Sequence, residues 1–569
     1  MFSSAHVPAP EAIDKLIQRS RTEPTINADE MRDIIATCAA ELEAYDVAIS
    51  VAQETLTRLL SEREMMQRYS HVARSVLSPV RSLPAELLVK IFVLVRDGAE
   101  AQAAEDVIDR FFHAGDALAN EPVMTLAGVC SQWRAVALGS PELWTTLYAN
   151  ITPFHNPHQV GLLTEALQRS APLPLTVYLR SAYKDVDDTL QILLQQSPRW
   201  KTVFVSTVRD NFEVLQAISG NLPLLERLSF DGGLCVPNVE DEPARMSDGR
   251  RRKQKLEDFA AFLDAPRLVD VTFKDRAPKL PWGQLLAVTA QIFDAPSSLE
   301  EFWRSLAFLA ECNMDCDVVI HLILQRIYAT DTSLSTITSP IRSLALVIGP
   351  REATDSIRGP LKYLLDILVF PELTHLELLS RQRYAKLTLP STSLSAWLGR
   401  SSLLTSLTLK GFLLDTHELF EDLLFHTGAL THLTLSDLTY YEGPRFAYRA
   451  ILTDEFYTRP GMAEPDPEDG GWYLPELREL ELDTFLRCTS AAVVQFLEGR
   501  MGLVRSEGWS GFKFKIMGEV WRGELDADEE EDERGRVAML RKKVESLREA
   551  VNGLVDREEG TLVTKIEMA

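Results

Sequence analysis

Few residues of this chain could do chemistry, and their spacing decides what that chemistry would be. Cys312 and Cys316 stand four apart, which can place both side chains on one helix face. A zinc ion would need two more Cys or His ligands. No second pair lies nearby, so a buried apolar pair accounts for them better. His417-Glu418 begins a zinc-protease pattern but lacks the second His. Glu479, Glu481 and Asp483 alternate and so share one face of a strand; such carboxylates could serve acid–base work. Nothing in the neighbouring sequence shapes a pocket around them. His375 and His432 fall at matching places in two similar segments, with a third segment between them. Strand spacing would hold them about 10 Å apart, too far for one metal ion with bonds of about 2 Å. Phosphate loops, dinucleotide loops and the Gly-x-Ser-x-Gly elbow do not occur. The sequence predicts no catalytic residue, no metal and no cofactor.

The segments that carry these residues share a pattern, Leu-x-x-Leu-x-Leu. It appears at Leu225–Phe230, Leu268–Phe273, Ile341–Leu346, Leu373–Leu378, Leu404–Leu409, Leu430–Leu435 and Leu477–Leu482, with weaker copies from Trp200 and Leu285. Successive starts are about 26 to 31 residues apart where the pattern is densest, room for a strand and a helix. One such unit cannot bury its apolar edge alone, and stacking with neighbours does so. Residues between and just after the leucines then face outward. These are Arg227, Ser229 and Asp231; His375 and Glu377; Ser406, Thr408 and Lys410; His432, Thr434 and Ser436; and Glu479, Glu481 and Asp483. They are the candidate surface for a client protein, and the last three would favour a basic segment of it.

Before the repeats lie two amphipathic stretches. Pro84 suits a helix start, and Glu86 complements the helix dipole. Leu87, Leu88, Ile91, Phe92 and Val95 recur at helical spacing. Leu126, Val129, Cys130, Trp133 and Val136 repeat the arrangement as a second helix, and Pro141-Glu142-Leu143-Trp144 follows. About sixty residues offer a meagre core, so apolar residues at its edge are candidates for a partner.

Leu83-Pro84-Ala85-Glu86-Leu87-Leu88, Ile91-Phe92, Val129-Cys130-x-x-Trp133-Arg134 and Pro141-x-Leu143-Trp144 together resemble the F-box family, of the fungal type, over residues 78–147. The resemblance implies a three-helix module docking onto the adaptor subunit of cullin–RING ubiquitin ligases. Leu83, Pro84, Leu87, Ile91, Phe92, Val129, Cys130, Trp133 and Trp144 would form the adaptor-contacting or module-core set. The stretch between the two helices, 96–123, is longer than the family usually has. The later repeats resemble degenerate leucine-rich repeats over roughly 170–490; the alternative is a generic α/β domain with parallel strands. Regular repeats place Asn or Cys three residues past the last leucine. Here those positions are Phe412, Leu438 and Phe485, so the usual side-chain ladder is expected to be missing and the solenoid irregular.

Two heptads flank this body. Ile35, Cys38, Leu42, Tyr45, Ile49, Ala52, Leu56, Leu59 and Met66 make a seam broken only by Arg63, with Asn27 and Asp29 able to cap its start. Val537, Leu540, Val544, Leu547, Val551 and Leu554 make a shorter one. The segments could pair with each other, with a second copy of the chain or with a partner, or lie against the domain as single helices.

The 569 residues exceed what one core serves. The expected class is α/β: a flexible 1–30, a coiled-coil helix 31–74, the helical module 78–147, repeats over 150–490 and their end at 491–525. An acidic linker 526–535 and a heptad helix 536–558 complete it. Insertions at 235–255 and 455–472 read as mobile loops, the first ending in a basic cluster, 250–255, that could be a nuclear-import signal. A net charge of −24 argues against nucleic acid as a partner. Six scattered Cys make no disulfide framework. No apolar run spans a membrane, and no signal peptide is indicated. The expectation is a cytoplasmic or nuclear substrate adaptor of a ubiquitin ligase that is not itself an enzyme. The alternative is a coiled-coil and repeat scaffold working outside a ligase.

Overall fold

The structure is a computed structural model. It describes residues 9–22, 27–77, 79–101, 121–151, 157–181, 188–207, 212–231, 259–274, 277–292, 299–324, 335–350, 358–380, 391–412, 423–436, 452–466, 471–484, 486, 488–518, 530–555 and 562–568. The chain divides into two compact units, 1–90 and 91–569. The Pro141–Trp144 turn runs through Thr145 straight into a strand, and Leu143 and Trp144 are buried.

The first unit is helical. Helix α1 (Pro10–Thr22) precedes α2 (Ala28–Val76), a single helix of 49 residues. Asn27 accepts from the Asp29 N–H through its side chain at 3.1 Å, an Asx cap on the first turn. Arg19 and Glu30 join the two helices at 3.4 Å. A short 3-10 turn, Pro79–Ser82, leads to α3 (Ala85–Ala101), within which the division between units falls.

The second unit is mixed α/β. Among the described residues it carries α4 (Glu121–Val129), α5 (Ser131–Gly139) and a sheet of fourteen strands, all pairing parallel. The strands are β1 (Thr146–Ile151), β2 (Leu175–Ser181), β3 (Trp200–Thr207), β4 (Arg227–Asp231), β5 (Asp270–Lys274), β6 (Ala287–Ile292), β7 (Asp317–Leu324), β9 (Ser343–Pro350), β11 (His375–Ser380), β12 (Ser406–Lys410), β13 (His432–Ser436), β14 (Glu479–Thr484), β15 (Phe512–Gly518) and β16 (Leu562–Met568). They neighbour one another in chain order. The short β8 (Ile337–Thr338) and β10 (Leu368–Val369) pair separately.

Every Leu-x-x-Leu-x-Leu segment carries a strand of this sheet, the weaker copies included. Its second and third leucines alternate inward, as Leu376 with Leu378, Leu407 with Leu409 and Leu433 with Leu435. The first leucine enters through a repeated turn, in which Leu268, Leu285, Leu404, Leu430 and Leu477 each donate to the carbonyl three residues back at 3.1–3.2 Å. The sheet extends beyond the expected 150–490 at both ends. β15 alternates Phe512, Phe514 and Ile516 inward, without the leucine signature.

Threonines at the strand entries form a side-chain ladder of their own, apart from the Asn or Cys positions of regular repeats. Thr374 Oγ1 donates to the Arg342 carbonyl at 3.0 Å, Thr405 Oγ1 to that of Thr374 at 3.1 Å, and Thr431 Oγ1 to that of Thr405 at 3.0 Å. Each threonine is the second residue of its Leu-Thr-x-Leu segment. Of the positions past the last leucine, Phe412 is buried, while Leu438 and Phe485 lie outside the described residues.

Two expected loose segments are ordered into the body. The helix Glu530–Val555 begins within the acidic run assigned to a linker, where Glu530, Glu531, Asp532 and Glu533 favour a helix N-terminus. Its seam residues Leu540, Val544, Leu547, Val551 and Leu554 are all buried, so this second heptad is internal to its unit. The insertion read as a mobile loop, 455–472, buries Phe456, Tyr457 and Met462. The fully buried Arg500, on the helix Ser490–Glu507, donates to the carbonyls of Leu474 at 2.9 Å and Tyr473 at 2.7 Å. Its guanidinium also lies over the Trp472 and Phe496 rings at 5.2 and 5.6 Å. The other insertion, 235–255 with its basic cluster, lies outside the described residues, as do 102–120.

Candidate functional site

The predicted docking set separates into inward and outward residues. On α3 the stripe expected from spacing splits in two. Leu88 and Phe92, one turn apart, are fully buried, while Leu87, Ile91, Leu94 and Val95 are exposed, Leu94 to 70%. A single core-facing stripe would bury all of them; here four large apolar side chains of the helix stand exposed to water. Pro84 is exposed, and its carbonyl accepts from the N–H groups of Leu87 and Leu88, both at 3.1 Å. Leu83 is half-buried. Leu94 was not among the predicted site residues, although it lies seven residues past Leu87, nearly two helical turns on.

The second predicted helix is broken in two at Cys130. That residue is extended, with φ −160° and ψ 171°, and its Sγ accepts from the Trp133 N–H at 3.4 Å. Cys130 therefore caps α5, so that residues 121–139 form two helices where apolar spacing suggested one. Trp133, half-buried, packs on Phe92 with ring centroids 4.8 Å apart. Trp144 is buried, donates to the Ala137 carbonyl at 2.8 Å and carries Arg169 over its ring at 5.2 Å. Arg169 also donates to the Leu138 carbonyl at 2.8 Å, fastening α5 to the helix Pro157–Arg169. Arg96 reaches from α3 to the Glu142 carbonyl and, at 3.3 Å, to Thr145. Of the predicted set in the second unit, Phe92, Trp133 and Trp144 thus build the module, while Ile91 and Val129 face water, as does Met124.

On the sheet, the candidate client residues form registered rows. One row runs His375, Ser406, His432, Glu479 and Lys513; the next runs Glu377, Thr408, Thr434, Glu481 and Lys515. A third places Lys410, Ser436 and Asp483 side by side. His375 and His432 are separated by Ser406, as expected. Thr374 and Thr431 hydroxyls lie 2.8 Å from the Nδ1 of His375 and His432.

The acidic strand does not present free carboxylates. Glu479 lies 3.5 Å from Lys513 and 3.6 Å from His432, Glu481 pairs with Lys515, and Asp483 pairs with Lys410 at 3.1 Å. The expectation of an acidic patch for a basic client missed β15, whose lysines alternate onto the same face. Arg227 with Asp270 and Asp231 with Lys274, both 3.6 Å apart, repeat the pairing on β4 and β5. At the opposite end, Tyr148, Tyr178 and Phe204 stack at 4.6 and 4.3 Å, a half-buried aromatic ladder that the leucine pattern did not reveal.

Cys312 and Cys316 are both buried. A hydrogen bond donated to Cys316, together with burial, raises the Cys312 pKa, which keeps the thiol protonated. Among the described residues no group of His, Cys, Asp and Glu could hold a metal, and no helix is long and apolar enough to cross a membrane. In comparisons with known proteins, no family model matches the chain and no curated protein matches it significantly.

Proposed function

We propose that the chain is a substrate-recognition adaptor of a cullin–RING ubiquitin ligase. It would dock on the ligase adaptor subunit through an F-box module and hold client proteins on a degenerate leucine-rich-repeat surface. The observation that carries this reading is α3, whose Leu88 and Phe92 are buried while Ile91, Leu94 and Val95 stand exposed on the same helix. An apolar helix face left in water beside a well-packed one is what a helical docking module needs. On this reading the chain performs no chemistry, and its contribution to ubiquitin transfer is proximity and orientation. Clients would be read by a mixed-charge face, with the Tyr148–Tyr178–Phe204 ladder as a rigid apolar element.

The test is complex formation between the full chain and the ligase adaptor subunit, measured by co-purification and titration calorimetry. Ile91→Asp with Leu94→Asp should abolish the complex while leaving the circular dichroism and melting of the chain unchanged. Failure of the unaltered, folded chain to bind would sink the ligase role. The second reading, a scaffold outside any ligase, is favoured by the exposed seam of α2 and would then stand.

A further inference from the structure

We propose that α2 pairs with α2 of a second copy of this chain, antiparallel, as a two-stranded coiled coil centred between Ile49 and Ala52. This is independent of the ligase reading. The seam from Ile35 to Met66 runs about 47 Å at about 1.5 Å per residue, and every position along it is exposed. Ile35, Leu42 and Met66 are 67%, 63% and 68% exposed. Five heptads of apolar surface in water do not hold one isolated helix of 49 residues together. The other heptad of the chain cannot cover it, because Leu540 to Leu554 are buried in their own unit.

The seam is complementary to itself in one orientation. In a parallel pair each layer meets its own copy. Arg63 would face Arg63, Ala52 would face Ala52 and leave a void, and Glu41 would flank Asp46. Reversing one helix makes each layer meet the other kind. Ile35 then faces Met66, Leu42 faces Leu59, Tyr45 faces Leu56, and small Ala52 faces Ile49. Arg63 faces Cys38, one turn from Glu41 of the other copy, so the one charge in the seam gains an opposite charge instead of a like one. The adverse flank of that arrangement, Glu41 beside Glu62, is relieved by Arg58, which lies 3.9 Å from Glu62 on the same helix.

Cys38 is a built-in reporter of orientation. It is exposed and unbonded, and only a parallel pair would place it against itself. The full chain, its Arg63→Cys variant and the Cys38→Ser/Arg63→Cys double variant would be oxidised mildly and resolved by mass, with linked peptides mapped. The expected result is a disulfide-linked dimer in Arg63→Cys alone. Linkage through Cys38 in the unaltered chain, together with linkage in the double variant, would show a parallel coil and overturn the proposal. Light scattering should give twice the 63.9 kDa chain mass, reduced to one by Leu42→Asp with Leu59→Asp. A monomer mass for the unaltered chain, or a mass above two copies, would overturn it equally.

Discussion

Phe92 and Trp133 meet with ring planes 58° apart, and this contact joins α3 to α5 across forty residues of sequence. Phe92 is fully buried, whereas its chain neighbour Ile91 is exposed. Truncating the first opens a cavity, and truncating the second does not. Phe92→Ala is expected to cost about 3–5 kcal/mol of stability. Ile91→Asp should stay within about 0.5 kcal/mol. Denaturant melts of the two variants check this, and equal losses would mean that the two faces of α3 are not distinct.

The threonine ladder predicts a graded effect. Thr405→Val keeps the shape but removes the donor to the Thr374 carbonyl. That carbonyl still accepts from the N–H groups of Thr405 and Ser406, both at 2.9 Å. No buried group is left without a partner, so the loss should be about 0.5–1.5 kcal/mol, and Thr405→Ser should recover most of it. A Thr405→Val variant as stable as the unaltered chain would show that the ladder is ornamental.

Gly499 reverses the usual sign of a helix glycine. Gly to Ala in a helix interior ordinarily gains up to about 1 kcal/mol. Here a Cβ would lie 1.7 Å from the Ala463 carbonyl oxygen, so backbone must move. Overpacking of this kind costs about 1–3 kcal/mol, and the neighbouring Arg500 contacts to Tyr473 and Leu474 would be strained with it. Thermal unfolding of Gly499→Ala should shift downward; an upward shift would show that Ala463 and its neighbours are not seated on this helix.

These contrasts also mark what was legible in the sequence. Leu376 with Leu378 and Leu433 with Leu435 announce strands because a period of two buried leucines is hard to produce otherwise. Phe512, Phe514 and Ile516 have the same period, yet the aromatic residues hid β15 from a pattern written in leucine, and with it the partners of Glu479 and Glu481. Cys130 hid a helix boundary because cysteine is outside the usual capping set. Proline and glycine made 455–472 look like loop, although Phe456, Tyr457 and Met462 are the residues that a loop would not need. The split of α3 into two faces depends on what packs against it, which spacing alone does not contain.

The charge rows predict a specific dependence on pH and salt. The hydrogen bond that Lys515 donates to Glu481 raises the Lys515 pKa above its ordinary value. A base with a raised folded pKa contributes stability that is fully present below the unfolded value, near 10.5, and is lost as pH rises through the folded one. Both side chains are about one-third exposed, so solvent screening holds the contribution below about 1 kcal/mol. Glu481→Gln should therefore lower stability slightly at neutral pH and make no difference above the Lys515 titration, and the neutral-pH effect should shrink at about 1 M salt. Glu481→Lys should do more harm, setting like charges on adjacent strands. Melting curves at neutral and alkaline pH decide this: an effect of Glu481→Gln that persists at high pH would mean that Glu481 serves the fold through something other than Lys515.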